Sequence, residues 1–319
     1  MKILVTGGCG FIGSNFIRHI LKKYPAYKIV NLDKLTYCGN PDNLRDIESD
    51  KRYTFIKGDI CDKKAVESAI KSCDAVINFA AESHVDRSIE DASAFIRTNI
   101  HGVYTLLEAS KKHKIKRFIQ ISTDETYGSI RKGSFKETSL LHPNSPYSAA
   151  KAGGDHLVLA YYTTFKLPVI VTRSSNNFGP YQYPEKVIPL FITNLLENKK
   201  VPLYGDGLNV RDWLYVIDNC SAISLALHKG KIGEIYNIGG SFEISNIELT
   251  KIMLKLIGKT DKIICYVPDR LGHDRRYSLD STKIKKLGWQ PSKNFNTAIK
   301  ETINWYKANT TWWQKLKTT

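Results

Sequence analysis

The sequence predicts an α/β protein in which a doubly wound parallel sheet is followed by a smaller C-terminal α/β domain for substrate. Three observations predict it. Short β-branched runs alternate with helix-length stretches through the first half of the chain. A glycine-rich turn lies between the first such run and the first such stretch. After about Asn176 the alternation breaks and Pro and Gly become frequent.

Ile3-Leu4-Val5 is the first apolar run, and an amphipathic stretch from Ser14 to Lys23 follows the glycine turn. The next strand-like runs are Lys28 to Leu32, Tyr53 to Lys57, Ala75 to Phe79, Arg117 to Ile121 and Pro168 to Thr172. Strands separated by helices of ten or more residues pair parallel, because each crossover lays a helix on the sheet. Right-handed crossovers then give a Rossmann-type sheet with its ligand crevice at the carboxyl ends of the strands. Beyond Asn176, Gly179-Pro180, Pro184, Pro189, Pro202, Gly205 and Gly207 mark a different texture. The run Glu234 to Gly239 is expected to return to the main sheet, and the helix-like stretch Asn246 to Gly258 to belong to a smaller lid domain. Trp312-Trp313-Gln314-Lys315 is expected to pack as an aromatic tail on the body. The predicted division is 1–175 for the sheet domain, with about 212–240 returning to it, and 176–319 mainly for substrate.

Composition narrows the function classes. A chain of 319 residues, 42% hydrophobic, suits one large domain or two closely joined ones. No apolar run approaches the roughly 20 residues that span a bilayer. The start, Met1 to Gly7, is too short in its apolar part for a signal peptide, so the expected location is cytoplasmic. Six cysteines without a C-x-x-C pair suit neither a metal site nor a disulfide framework, and reduced thiols and no metal are expected. The formal charge of +16 comes from lysines spread along the chain and not from one block. That pattern reads as a solvated basic surface, with neither nucleic acid nor membrane as partner.

Gly7, Gly10 and Gly13 have G-x-x-G-x-x-G spacing, one residue wider at the front than the common dinucleotide fingerprint. The first turns tightly, the second lets backbone approach a pyrophosphate, and the third lets helix and strand pack closely. The helix N-terminus adds about half a positive charge and free N–H groups. Asp33 ends the second strand some twenty residues on, where a carboxylate binds ribose hydroxyls and repels a 2′-phosphate. NAD is therefore favoured over NADP, which the adjacent Lys34 keeps from being excluded. Asp59-Ile60 and Ala80-Ala81-Glu82-Ser83 stand where later loops meet such a cofactor. The predicted NAD contacts are Gly7, Gly10, Phe11, Ile12, Gly13, Asp33, Lys34, Leu35, Thr36, Asp59, Ile60, Ala80, Ala81, Ser83 and Thr98, with Tyr147, Lys151 and Asn177.

Tyr147-Ser148-Ala149-Ala150-Lys151 is a Y-x-x-x-K, which on a helix puts phenol and amine on one face. Lowering a tyrosine from about 10 to about 7 requires roughly 4 kcal/mol of phenolate stabilisation. Lys151 and a positive nicotinamide ring are expected to supply it by proximity. Y-x-x-x-K also arises by chance on surfaces; the preceding Ser122-Thr123 and the dinucleotide turn favour the catalytic reading.

Thr6 to Gly13, together with Tyr147 and Lys151, resembles the extended short-chain dehydrogenase/reductase family along essentially the whole chain. The resemblance implies that Thr123 orients a sugar hydroxyl and hydrogen-bonds the tyrosine. Ser122-Thr123-Asp124-Glu125-Thr126-Tyr127-Gly128 is similar to the S-T-D-E-V-Y-G of that family's dTDP-glucose 4,6-dehydratases, with Thr126 where valine is usual. Adjacent carboxyls in one pocket split into an ionised base and a protonated acid. By resemblance, Asp124 protonates a departing C6 hydroxyl and Glu125 removes the C5 proton. The implied reaction oxidises C4, eliminates water across C5 and C6, and returns the hydride to C6, so the cofactor stays bound throughout.

Further stretches resemble the same dehydratases: Ala80 to Asp86, Ser175 to Gln182, Asn209 to Val216 and Gly272 to Tyr277. Arg211 and Arg275 are suited to grip phosphate bidentately. Asn176 and Asn177 are placed to bridge diphosphate and nicotinamide, and Lys186-Val187 and Pro202-Leu203-Tyr204 to hold phosphate and base. His84 is a candidate sugar contact, and Asn246, His273 and Tyr277 complete the implied substrate set. Leu271 stands where the family often has proline, which leaves that loop's geometry open. A UDP-glucose 4,6-dehydratase, or an epimerase or decarboxylase of the extended family, is the alternative, because thymine and uracil differ by one methyl worth only ~1 kcal/mol. A homodimer through helices near 92–113 and 147–165 is implied by the resemblance alone.

Overall fold

The computed structural model describes residues 1–317; the last two residues of the predicted substrate domain lie outside them. In chain order the strands are β1 (Lys2–Thr6), β2 (Lys28–Asp33), β3 (Tyr53–Lys57), β4 (Ala75–Asn78), β5 (Arg117–Thr123), β6 (Val169–Ser174), β7 (Asn176–Phe178), β8 (Val201–Tyr204), β9 (Val210–Tyr215), β10 (Ile235–Ile238), β11 (Glu243–Ser245) and β12 (Ile264–Val267). The helices are α1 (Phe11–Lys23), α2 (Lys63–Ile70), α3 (Val85–Glu90), α4 (Ser93–Ile96), α5 (Val103–Lys112), α6 (Pro146–Phe165), α7 (Val187–Leu196), α8 (Val216–Lys229), α9 (Asn246–Ile257), α10 (Thr282–Lys286), α11 (Phe295–Ala308) and α12 (Thr310–Lys317).

Seven strands form one sheet in the order β10-β6-β5-β4-β1-β2-β3, and every pair in it is parallel. Successive side chains of a strand point to opposite faces, so a strand covered on both faces must be apolar throughout. In β1, Ile3 and Val5 enter a core with α1 and α8, built on Phe16, Ile17, Ile20 and Ile223. Leu4 enters the opposite core with α2, α5 and α6, through Val66, Leu106, Leu107 and Val158. That two-sided demand is why these strands read as runs and not as alternations.

A third core gathers α7, α9 and α11 around Phe191, Trp213, Met253 and Ile299. It carries a three-stranded sheet, β11-β9-β7, and a two-stranded one, β12-β8. Glu234 to Gly239 does return to the main sheet, as β10 beside β6. Within the segment expected to return, β9 instead pairs with β7 and β11. The β2–β3 crossover also departs from expectation. It has only a 3-10 turn, Pro41–Leu44, and its polar residues Lys34, Thr36, Asn40 and Asn43 border a pocket at the strand ends. No helix among the described residues is long and apolar enough to cross a membrane.

Local signals set α6, the helix that carries the Y-x-x-x-K. Ser145 and Ser148 form a reciprocal capping box, Pro146 occupies the first turn, and Lys166 ends the helix in a left-handed conformation. Beneath its middle, the fully buried Asp155 accepts hydrogen bonds from Ser122 Oγ of β5 and from Arg173 Nε of β6, each at 2.9 Å. Removing one partner of a buried ion pair strands the other charge and typically costs roughly 3–5 kcal/mol. Asp155→Ala is expected to lower the unfolding free energy by about that amount, read from the midpoint of urea denaturation; a midpoint within error of wild type would contradict it.

Candidate active site

The turn between β1 and α1 lies at the carboxyl end of the sheet, pressed against the start of the β4 loop. Gly7 has φ +68°, and a Cβ there would sit 2.6 Å from the Ala80 nitrogen. A Cβ on Gly13 would sit 2.4 Å from the Gly7 carbonyl oxygen. Both positions exclude any side chain, which brings bare backbone to the pocket. Gly10 caps α1 without a side-chain hydrogen bond, and no acidic residue lies in the first turn. The positive end of the helix is thus left to a phosphate.

Asp33, buried at the end of β2, accepts from the Cys9 amide with Oδ2 and from the Leu35 amide with Oδ1, each at 2.8 Å. Burial raises its pKa, and those two amides oppose the rise. Lys34 is held by Asp59 at 2.9 Å. A 2′-phosphate would meet the Asp33 carboxylate with the nearest lysine already paired, so these residues fit NAD and disfavour NADP.

One continuous pocket runs from this turn to the ends of β5 and β6. Its wall includes Gly7, Gly10, Phe11, Ile12, Gly13, Asp33, Lys34, Thr36, Asp59, Ile60, Ala80, Ala81, Ser83 and Thr98. Thr123, Asp124, Glu125, Tyr147, Lys151, Asn176, Asn177 and Lys186 line its other end. Leu35 does not line it; its side chain packs against the sheet core instead. A smaller pocket adjoins, sharing Glu125 and Asn176 and walled by Arg211, Arg270, His273, Asp274 and Tyr277.

Several expected substrate contacts fall elsewhere. Arg275 was expected to grip phosphate; its fork is instead occupied by Asp206, at 2.8 and 3.0 Å, on an exposed flank. Arg270, unmarked by any sequence signal, lines the smaller pocket in its place. Val187, Pro202, Tyr204 and Asn246 are in neither wall. Tyr204 borders the second pocket indirectly, with its ring 6.2 Å from that of His273 and 5.5 Å from the Arg270 guanidinium. His84 caps α3 and faces Glu185 at 3.5 Å, in contact with the pocket only through its neighbour Ser83. Asn43, Tyr181, Tyr183, Trp312 and Leu316 also line the large pocket and were not foreseen. The terminal aromatic segment, expected merely to pack on the body, is part of the wall.

The electrostatics of the two acids differ. Asp124 is buried, and its pKa is pushed well above the carboxylate range by burial and then by the charges of Glu125 and Asp212. Its Oδ2 has no hydrogen-bond partner among the described residues, while Oδ1 accepts from Thr123 Oγ1 at 3.2 Å. Burial also raises Glu125, but Arg211, Arg270 and Lys186 hold it back. The pair is therefore biased toward a protonated Asp124 beside a more readily ionised Glu125.

Tyr147 lines the same end of the pocket as the two acids. Burial and then the Glu125 charge push its pKa up, against a hydrogen bond with Thr123. Lys151, one turn on, donates to the Ile121 carbonyl at 2.6 Å, and burial lowers its pKa to about 8. Burial and the neighbouring carboxyls thus bias Tyr147 toward its protonated form in the chain without cofactor.

A family model described as GDP-mannose 4,6 dehydratase matches residues 4–302. The dTDP-glucose 4,6-dehydratase of Streptomyces niveus is 51% identical over 322 residues, covering 99% of this chain and 96% of that protein. A dTDP-glucose 4,6-dehydratase from Streptomyces venezuelae, solved with NAD bound, superposes with a TM-score of 0.98 at 49% identity, over 99% of this chain and all of that one. A UDP-glucose 4-epimerase of Thermus thermophilus, in complex with NAD, has a TM-score of 0.90 at 30% identity, over 97% of this chain and all of that one.

The depressed Lys151 has a thermodynamic signature. Between pH 8 and about 10.4, the unfolded lysine keeps a proton that the folded one has lost, so this group's contribution to stability rises with pH. In the cofactor-free protein, the stability of wild type relative to Lys151→Met is expected to grow by roughly 3 kcal/mol across that window. Urea unfolding at several pH values checks this; a difference flat with pH, or falling, would contradict it.

Proposed function

The chain belongs to the family of the GDP-mannose 4,6 dehydratase model, and from that premise we propose that it is a dTDP-glucose 4,6-dehydratase, converting dTDP-glucose to dTDP-4-keto-6-deoxyglucose and water with bound NAD. The observation that carries this reading is the presence of Asp124 and Glu125 in the same pocket wall as Tyr147, Lys151 and the glycine turn. Oxidation at C4 needs only the tyrosine. An acid–base pair beside it has work to do only if water is also removed. The near-complete alignment with curated dTDP-glucose enzymes at about half identity supports the thymidine nucleotide over uridine.

The glycine turn, Asp33 and the wall from Asp59 to Thr98 would hold NAD, whose chemistry would be to accept a hydride from C4 and give one back at C6. Thr123 orients the C4 hydroxyl, and Tyr147 receives its proton. The resulting ketone acidifies the C5 hydrogen, which Glu125 removes, while Asp124 gives its proton to the departing C6 hydroxyl. Its unpartnered Oδ2 and raised pKa suit a donor that must be neutral before the step. Arg211 and Arg270 neutralise the sugar diphosphate from the adjoining pocket. The sheet domain, 1–175 with the returning α8 and β10, holds the cofactor, and the remainder holds the sugar nucleotide.

The enzyme works in the cytoplasm as a homodimer. Exposed Ile96, Tyr104 and Phe165 support the dimer, since they set apolar side chains on α4, α5 and α6.

Incubation with dTDP-glucose is expected to give a product lighter by one water, and faster than with UDP-glucose or CDP-glucose. Recovery of the C4 epimer alone would instead favour the epimerases, which have the fold and the Y-x-x-x-K but no need of the acid pair. Glu125→Gln is expected to lower turnover by about 10²–10⁴-fold and to accumulate reduced nicotinamide on the enzyme, visible by its near-ultraviolet absorbance. Normal turnover in that variant would remove Glu125 from the mechanism.

A further inference from the structure

The reaction imposes a requirement that the catalytic residues do not meet. Between oxidation of C4 and reduction of C6, the hydride resides on the cofactor. If the reduced cofactor left during that interval, the sugar would remain a ketone, and after elimination an unsaturated one. The carrier has to be retained for the whole cycle, and something in the chain must slow its escape.

The C-terminal helix α12 is built against the cofactor end of the pocket. Trp312 and Leu316 form part of the wall there. Trp312 Nε1 donates to Asn43 Oδ1 at 2.9 Å, across 269 residues of sequence. Asn43 is buried, and its Nδ2 donates in turn to the Cys9 carbonyl at 2.8 Å. That carbonyl belongs to the glycine turn and accepts a second bond from the Asn40 amide at 3.1 Å. The indole is thus two hydrogen bonds from the backbone that faces the pyrophosphate.

The far end of α12 is anchored elsewhere. Lys317 reaches Glu197, just beyond the end of α7, at 2.7 Å and Asn194 at 2.9 Å. The Leu316 carbonyl accepts from Tyr183 Oη at 3.3 Å. Trp312 also packs edge-on to Trp305, with ring centres 5.0 Å apart. One helix therefore spans from the substrate-side body to the glycine turn. Of the acceptors open to a packed indole, the one Trp312 meets is the residue that also holds the Cys9 carbonyl.

We propose that α12 is a retaining latch for the dinucleotide, with Trp312 as the positioning residue that ties it, through Asn43, to the glycine turn. The inference rests on the reading of NAD as the cofactor. It deepens that reading, since it assigns the slow release that internal hydride return demands to residues outside the catalytic set. Opening the latch leaves the Asn43 side chain without its indole partner and removes Trp312 and Leu316 from the pocket wall.

The test uses the full chain, purified with NAD, as wild type, Trp312→Ala and Trp312→Phe. The dissociation rate of NAD is measured after mixing with excess labelled NAD, and free reduced nicotinamide is measured during turnover of dTDP-glucose. Trp312→Ala is expected to release NAD roughly tenfold faster or more, with lesser acceleration in Trp312→Phe, which keeps the ring and loses the donor. Both are expected to leak reduced nicotinamide into solution, and added NAD is expected to rescue the lost turnover. Wild-type dissociation rates in both variants, with only the melting temperature lowered, would make α12 a packing element and overturn the proposal. If Trp312→Ala does not fold, a wild-type rate in Trp312→Phe overturns it alone. The exchange arm involves no sugar, so faster NAD release together with a wild type inert on dTDP-glucose would sink the dehydratase reading and leave the latch standing.

Discussion

The buried carboxylate of Asp155 is the contact on which the catalytic end of the molecule depends. It receives Ser122 from β5 and Arg173 from β6 while belonging to α6. Three elements that approach the pocket separately are thereby held in one frame. Ser122 is the residue before Thr123, Lys151 lies one turn before Asp155, and β6 ends two residues before Asn176. Slippage of α6 against β5 would separate the phenol of Tyr147 from the Thr123 hydroxyl that bonds it. The Arg173 guanidinium also lies 4.8 Å from the centre of the Tyr127 ring, whose hydroxyl donates to Asn237 of β10 at 2.9 Å. The same charge thus secures the edge strand of the sheet.

Above that frame, the parallel sheet concentrates the chemistry at one edge. All seven strands end on the same side, so loops far apart in sequence converge there. The glycine turn supplies bare amides, Asp33 an acceptor, and the loop after β5 two acids. Burial then does different things to neighbouring groups. It drives Asp124 toward its neutral form and lowers Lys151, and it makes Tyr147 a worse base than it would be in water.

Much of this was legible in the sequence, and the limits have physical causes. The strands of the main sheet were readable because burial on both faces demands continuous apolar runs, and the cofactor turn because Gly7 and Gly13 meet steric limits that no other residue satisfies. The acids beside Thr123 carried a local signature and do line one pocket. The failures concern contacts that no local pattern encodes. Arg275 and Arg270 are equally basic in sequence; only the fold decides that Asp206 engages one while the other turns to the pocket. The short turn at Pro41–Leu44 replaced an expected crossover helix because that segment borders the ligand crevice instead of covering the sheet. The expectation that Lys151 and the nicotinamide ring together lower the Tyr147 pKa left out the cost of burying a phenolate near two carboxyls.

The long reach from Trp312 to Asn43 also bears on the order in which the protein is made. Gly7, Asp33 and Asn43 leave the ribosome early, and strands β1 to β6 are available to pair once residue 174 has emerged. The wall formed by Trp312 and Leu316 cannot exist until Trp312 emerges, 269 residues after its partner Asn43. From the emergence of β6 until translation of α12, a nascent chain therefore carries a dinucleotide groove that lacks this wall. Contacts of such sequence separation form late in folding as well. The completed holoprotein is in this sense sealed by its most distant parts.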